Sequence, residues 1–228
     1  MEIKNKSQFI EYFSKGIKDL NKLKIGVEHE RFLFENKNKK RISYETLNKL
    51  FENLKINGWQ PLFEKENIIG MQRDNQQITT EPGLQCELSG APLENIHQVC
   101  SESSKFLKEI EGASKGLDIN TVSIGFDPFN NLSDVPQSPK TRYKIMTSEM
   151  PKGGKQSLEM MYRTCGIQIN YDYTSESNFE KIFRLGNYLT PLTIALYSNS
   201  PFESGKPTGY YSYRNKVWQN TARGGIMP

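Results

Sequence analysis

Cysteine and histidine are scarce. Three cysteines (Cys86, Cys100 and Cys165) and two histidines (His29 and His97) are all that 228 residues contain. An odd cysteine count without a CxxC pair argues for a reduced chain rather than a disulfide scaffold. Two histidines without an HExxH run exclude a histidine-rich zinc site. No GxxxxGK[ST] loop and no GxGxxG element is present, so neither a P-loop nor a dinucleotide-binding turn is expected. The stretch PKGGKQS, residues 151–157, has the glycines but the wrong spacing, and reads as a turn. Charge of one sign is also lacking: 30 basic against 26 acidic residues leave +4. The densest basic run, Lys37 to Arg41, reads as a solvated turn. Without a Lys/Arg stripe interleaved with aromatics, no nucleic-acid partner is expected. No window approaches the 18 apolar residues that a membrane span needs. The first 24 residues carry Glu2, Glu11 and Asp19 and no apolar core, which suits neither a secretory signal nor a transit peptide. The expectation is a cytoplasmic protein.

What is present suits a globular core. The chain is 36% hydrophobic, with twelve phenylalanines and two tryptophans. A chain of this size buries roughly 70% of its unfolded surface and needs no metal or disulfide staple to fold. Apolar residues at Phe9, Ile10, Phe13, Ile17 and Leu20 recur at helical spacing over residues 7–20, with Ser7 as N-cap. Residues 43–57 repeat the pattern behind Ser43 and stop at Gly58. Residues 60–90 read as a meander of short strands broken by turn signals. A long helix is expected to start at Pro92, and another to run from about 177 to 197 with a kink or break at Pro191. Residues 127–157 read as an ordered loop with one short helix, and MYRTCGIQINYDY as a strand. The strands are half polar, whereas central parallel strands are continuously apolar, so an α+β arrangement is expected.

The chemistry sits in those polar halves. In GVEHERFLF, side-chain alternation puts Glu28 and Glu30 on one face with Phe32 and Phe34, and His29 and Arg31 on the other. Two carboxylates on Cα atoms about 7 Å apart repel each other in a poorly solvated setting unless a cation joins them. A solvated face with salt bridges would give the same pattern. The feature recurs, however. Gln85, Glu87 and Ser89 share a face in the next motif, and Glu81, ahead of a Pro-Gly turn, can reach the same place. Gln168 and Asn170 share a face in a third strand. One antiparallel sheet built from these strands would line a cup with carboxylates and amides, suited to Mg²⁺ and a polyphosphate. Arg163, Arg214 and Arg223 are candidate anion clamps, because guanidinium pairs bidentately with carboxylate and phosphate.

The motifs GVEHERFLF, ITTEPGLQCELSGAPLENIHQ, RYKIM, MYRTCGIQINYDY, ALYSNSPFESGKPTGYYSYRNKVW and TARGGIMP stand in this order. In that set the chain resembles the glutamate–cysteine ligases of plant and proteobacterial type, within the carboxylate–amine ligase group. Three positions depart from the family pattern: Arg31 stands where the family usually has Lys, and Leu84 and Cys86 where it commonly has Gly and Phe. The resemblance implies a curved antiparallel sheet with helices on one face, similar to the catalytic domain of glutamine synthetase. It also implies that residues 1–228 are the N-terminal portion of a single catalytic domain, incomplete as it stands. The implied activity is ATP-dependent joining of the L-glutamate side-chain carboxylate to the amine of L-cysteine, the first step of glutathione biosynthesis. By resemblance Glu28, Glu30, Glu87 and Glu81 are Mg²⁺ (or Mn²⁺) ligands. Arg163, Gln168, Asn170 and Arg214 contact substrate or nucleotide, and Arg223, Glu28 and Glu87 serve catalysis. A related glutamate–amine ligase, an inactive nucleotide-binding remnant and a structural domain stay open as alternatives.

Overall fold

The computed structural model describes residues 3–221. In chain order the elements are α1 (Lys6–Ser14), β1 (Ile25–Glu35), α2 (Tyr44–Leu54), β2 (Gln60–Glu64), β3 (Asn67–Arg73), β4 (Gln76–Thr80), β5 (Cys86–Ser89), α3 (Ile96–Ser114), β6 (Ile119–Val122), α4 (Thr141–Glu149), α5 (Ser157–Arg163), β7 (Ile167–Tyr171), α6 (Glu176–Tyr197), β8 (Phe202–Glu203), β9 (Lys206–Pro207) and α7 (Tyr213–Gln219). Capping side chains set the helix starts. Ser43 accepts from Thr46 N–H, Asn95 from Gln98 N–H and Ser175 from Asn178 N–H. Ser7 lies inside α1, whose cap is Asn5. Pro92 lies outside α3, which begins four residues later.

The expected meander forms as β2-β3-β4-β5, every pair antiparallel, and β1 lies beside β5. The long strand β1 organises the rest. Its partner on one side is β5; on the other, β7 pairs with residues 25–29 and β6 with residues 32–35. The α+β class and the antiparallel pairing are as expected from sequence. The curved, glutamine-synthetase-like surface is not. The sheet is flat and open, neither curled nor closed, with β2 at one edge and β6 and β7 at the other.

Nor do the helices form one layer. On one face α2 and α3 cover Leu33, Met71, Ile78, Cys86 and Leu88, with Phe51, Phe106 and Ile110 filling the core. Here Trp59 donates to Glu109 (2.9 Å), and Arg73, stacked over the Trp59 ring at 4.2 Å, bonds the same carboxylate at 2.8 Å. On the opposite face Phe32 and Phe34 pack with Cys165. Arg41 stacks on Phe32 at 4.5 Å, pairs with Asp127 at 3.4 Å and donates to the Gly83 carbonyl. Its bond to the Tyr162 carbonyl brings α5 to this side. Helices therefore lie on both faces because the chain crosses the sheet between β6 and β7.

Two further expectations change. The first part of MYRTCGIQINYDY is helical, forming the end of α5, and only Ile167–Tyr171 is strand. Met161 and Tyr162 are buried with Val135, and Arg163 is buried over the Phe126 ring, and that packing outweighs the local strand preference. Of the kink or break expected at Pro191, the break does not occur: α6 is one helix from Glu176 to Tyr197, since proline removes a single donor and the flanking turns carry the helix on.

Candidate metal centre

Strand register decides which carboxylates meet. Glu30 stands directly across from Glu87, whereas Glu28 stands across from Ser89 on β5 and Gln168 on β7. Glu81 follows β4 in a tight turn closed by Glu81 N–H to the Gln85 carbonyl (2.9 Å) and Leu84 N–H to the Glu81 carbonyl (2.9 Å). The turn swings its side chain over the Glu30–Glu87 pair. One carboxylate oxygen from each of Glu30, Glu81 and Glu87 lies within 4.8 Å of the others. Glu28 is not in this group; its carboxylate accepts from Asn170 Nδ2 at 3.0 Å.

Each carboxylate is held by its own donor. Ser89 Oγ donates to Glu87 (2.6 Å), Tyr143 Oη to Glu81 (2.9 Å) and the Gly166 N–H to Glu30. A Cβ at Gly166 would lie 2.8 Å from Arg214 Nη2, so a larger residue there would displace the guanidinium. That closeness lets the Arg214 guanidinium approach Glu30 from the β7 side. Lys140 donates to the Thr80 carbonyl at 2.8 Å and Arg142 lies 3.7 Å from Glu81. Lys140, Arg142 and Tyr143 are thus part of the site, although sequence reasoning gave them no role. The signal was the RYKIM motif, which carries no chemistry of its own until the 138–143 segment is seen clamped on Thr80 and Glu81.

The electrostatics match a place made for a cation. Burial pushes the Glu30 carboxyl up to about 8, with the Glu81 and Glu87 charges adding to it and the Gly166 bond and Arg214 opposing. Burial raises Glu87 as well, and the Ser89 bond partly offsets this. Three hard oxygen donors, mutually repelling and short of water, are the donor set that Mg²⁺ or Mn²⁺ takes. The residues present fit such an ion.

The remaining predicted residues are placed as follows. Gln168 and Asn170 extend the polar face beside Glu28 on β7, and both are exposed. Arg214 donates to the Cys165 carbonyl at 2.9 Å and stacks 5.4 Å from the Trp218 ring. Arg163 is only 2% exposed. It is engaged inward with Glu159 (2.8 Å), Glu203 (3.3 Å) and the Asp127 carbonyl (3.3 Å). Arg223 lies outside the described residues.

Residues 24–228 match the family described as Glutamate-cysteine ligase family 2 (GCS2). The chain is 41% identical over 226 residues to the chloroplastic glutamate–cysteine ligase of Medicago truncatula, covering 98% of this chain and 44% of that protein. It is 41% identical to the Nicotiana tabacum enzyme and 39% to that of Arabidopsis thaliana, each covered over 43% of its length. The chain thus spans less than half the length of the relatives it matches. Those relatives are chloroplastic, which overturns the cytoplasmic expectation. The acidic residues near the amino terminus had argued against a transit peptide, but they do not report where these enzymes reside.

Proposed function

The chain belongs to Glutamate-cysteine ligase family 2, and on that footing we propose that residues 1–228 form the N-terminal portion of a single catalytic domain. That domain joins the γ-carboxylate of L-glutamate to the amine of L-cysteine, with ATP cleaved to ADP and phosphate. The observation that carries the proposal is the cluster of Glu30, Glu81 and Glu87 on the polar face of the sheet, inside the family-matched span.

A carboxylate resists attack by an amine, so ATP must first turn it into an acyl phosphate. Glu30, Glu81 and Glu87 hold Mg²⁺, or Mn²⁺, in this reading. When bound, the ion neutralises charge on the polyphosphate and on the phosphoryl group in transfer. Ser89, Tyr143 and the Gly166 N–H fix the three carboxylates, so that little reorganisation is needed when charge moves. Glu28, Gln168 and Asn170 form a polar row beside the cluster for substrate or nucleotide, and Arg214 supplies fixed positive charge at its rim. Arg163, engaged inward, frames the site rather than touching substrate. Arg223 stays the candidate clamp on the phosphoryl group.

The test is phosphate release by the chain assembled with the remainder of a relative, such as the Medicago truncatula enzyme. Release that needs glutamate, cysteine and Mg²⁺ together, and that falls at least 100-fold in Glu87→Gln, is the expected result. Release indifferent to cysteine would sink the acceptor assignment. Full activity in Glu87→Gln would sink the metal assignment.

A further inference from the structure

Lys140 is charged, buried and short of partners. It stands at the start of α4 and is only 7% exposed. Its ammonium carries three N–H donors. Among the described residues it makes one hydrogen bond, to the Thr80 carbonyl at 2.8 Å. The Tyr143 ring lies 5.4 Å from the nitrogen. The neighbouring cation, Arg142, lies 3.7 Å from Glu81, whereas Lys140 has no ion pair of its own among the described residues.

Thr80 fixes where this charge sits. It is the last residue of β4, one before Glu81, and it pairs with Cys86, the neighbour of Glu87. The ammonium is thereby held close to two members of the acidic cluster without bonding either. Burial and Arg142 lower its pKa from the usual lysine value, while Glu81, Glu87 and Glu64 oppose them, so these carboxylates face it. A neutral donor would serve the Thr80 carbonyl as well, and a buried charge is costly where nothing uses it. Two N–H groups left over beside a seat for a cation suit an oxygen anion shared by the ion and the ammonium. A polyphosphate offers several such oxygens at once, so that one can face the ion and another the ammonium. The same positive charge repels a bare metal ion, because it offsets part of the field of the carboxylates.

We propose that Lys140 couples metal and phosphate at this site: it opposes entry of the bare ion at Glu30, Glu81 and Glu87, and it holds an oxygen of a polyphosphate that arrives with the ion. The proposal rests on the metal-centre reading above and deepens it. The coupling is reciprocal, so the ion raises the affinity for polyphosphate by the same factor as polyphosphate raises the affinity for the ion. The cluster then fills with a metal–polyphosphate complex rather than holding a divalent cation in advance.

The test is calorimetric titration of the 228-residue chain with two probes, Mn²⁺ alone and the 1:1 complex of Mn²⁺ with tripolyphosphate. In the unaltered chain the complex should bind about tenfold more tightly than the bare ion, or better. Equal or weaker binding of the complex overturns the proposal whatever the variants do. Lys140→Gln keeps an N–H donor and removes the charge. It should bind Mn²⁺ about threefold more tightly and the complex about tenfold more weakly, with circular dichroism unchanged. Lys140→Arg keeps the charge and should keep the preference for the complex. Opposite movement of the two affinities is what a merely structural lysine would not produce, because loosening Glu81 weakens both. A parallel loss, a parallel gain or no change in Lys140→Gln therefore overturns the proposal. A chain that binds neither probe removes the metal centre and this proposal with it, whereas a chain that binds Mn²⁺ without the coupling removes only the role of Lys140. None of these readouts needs catalysis. Coupling without cysteine-dependent phosphate release would leave Lys140 standing and remove the ligase reading.

Discussion

Leu84 combines two opposed demands. Its backbone sits at φ +59, in the left-handed region that favours glycine, while its side chain is buried in the main core. The conformation costs on the order of 1–2 kcal/mol for a side-chain-bearing residue. Burial of a leucine returns more, since its removal to alanine costs about 2–5 kcal/mol. Leu84→Ala keeps the strain and loses the burial, whereas Leu84→Gly loses the burial and the strain together. The expected order in urea unfolding is therefore wild type, then Leu84→Gly, then Leu84→Ala as the least stable; alanine above glycine would refute it. Glu30 makes the second residue-scale prediction. Its ordinary value is 4.5 and its folded value about 8, so between these the native state holds a proton that the unfolded chain has lost. Stability in metal-free buffer is thus fullest below the lower value and declines as pH rises through the upper one. Glu30→Gln should flatten that decline between pH 5 and 9. An equal slope in the variant would move the effect to another group.

The strands were largely legible as elements, because one polar and one apolar face leave a period of two in GVEHERFLF and in IQINY. Their mutual register was not. Nothing within β1 says that Glu30 rather than Glu28 will meet Glu87; pairing with residues more than fifty positions away decides it. For the same reason Glu81 ranked below Glu28 on sequence alone, since its reach depends on a turn. Tyr143 and Lys140 were invisible because they approach from a segment that carries no periodic pattern. The end of the helix at Ser157–Arg163, residues 161–163, reads as strand in the sequence because seven residues are too few to establish a helical period against β-prone neighbours. Helix α6 was read correctly as helix, yet its apolar side gave no hint of standing uncovered. With no buried residue, it should open locally at far lower cost than β3 or β4. Limited chymotrypsin digestion of the 228-residue chain should cut first between residues 176 and 197. Early cuts in the β2–β5 meander would contradict this.

At the scale of the molecule, Arg41 and Asp127 tie the sheet to the segment that returns toward β7. Both side chains are shut off from water. Asp127 also accepts from the backbone N–H groups of Phe129 and Asn130. Removing the cation alone strands a buried carboxylate, so Arg41→Met should cost about 3–5 kcal/mol of unfolding free energy in a denaturant titration. A loss below 1 kcal/mol would mean that Asp127 is satisfied by its amide donors. The order of the strands along the chain has a temporal side as well. Glu30, Glu81 and Glu87 are all supplied by the stretch that ends at Ser89, whereas β7 reaches β1 only with residues 167–171. The roughly eighty residues between them take on the order of 4–16 s to synthesise at 5–20 residues per second. During translation, therefore, all three carboxylates are made while one side of β1 still waits for its partner, and the donors Tyr143 and Gly166 that hold Glu81 and Glu30 reach them only later.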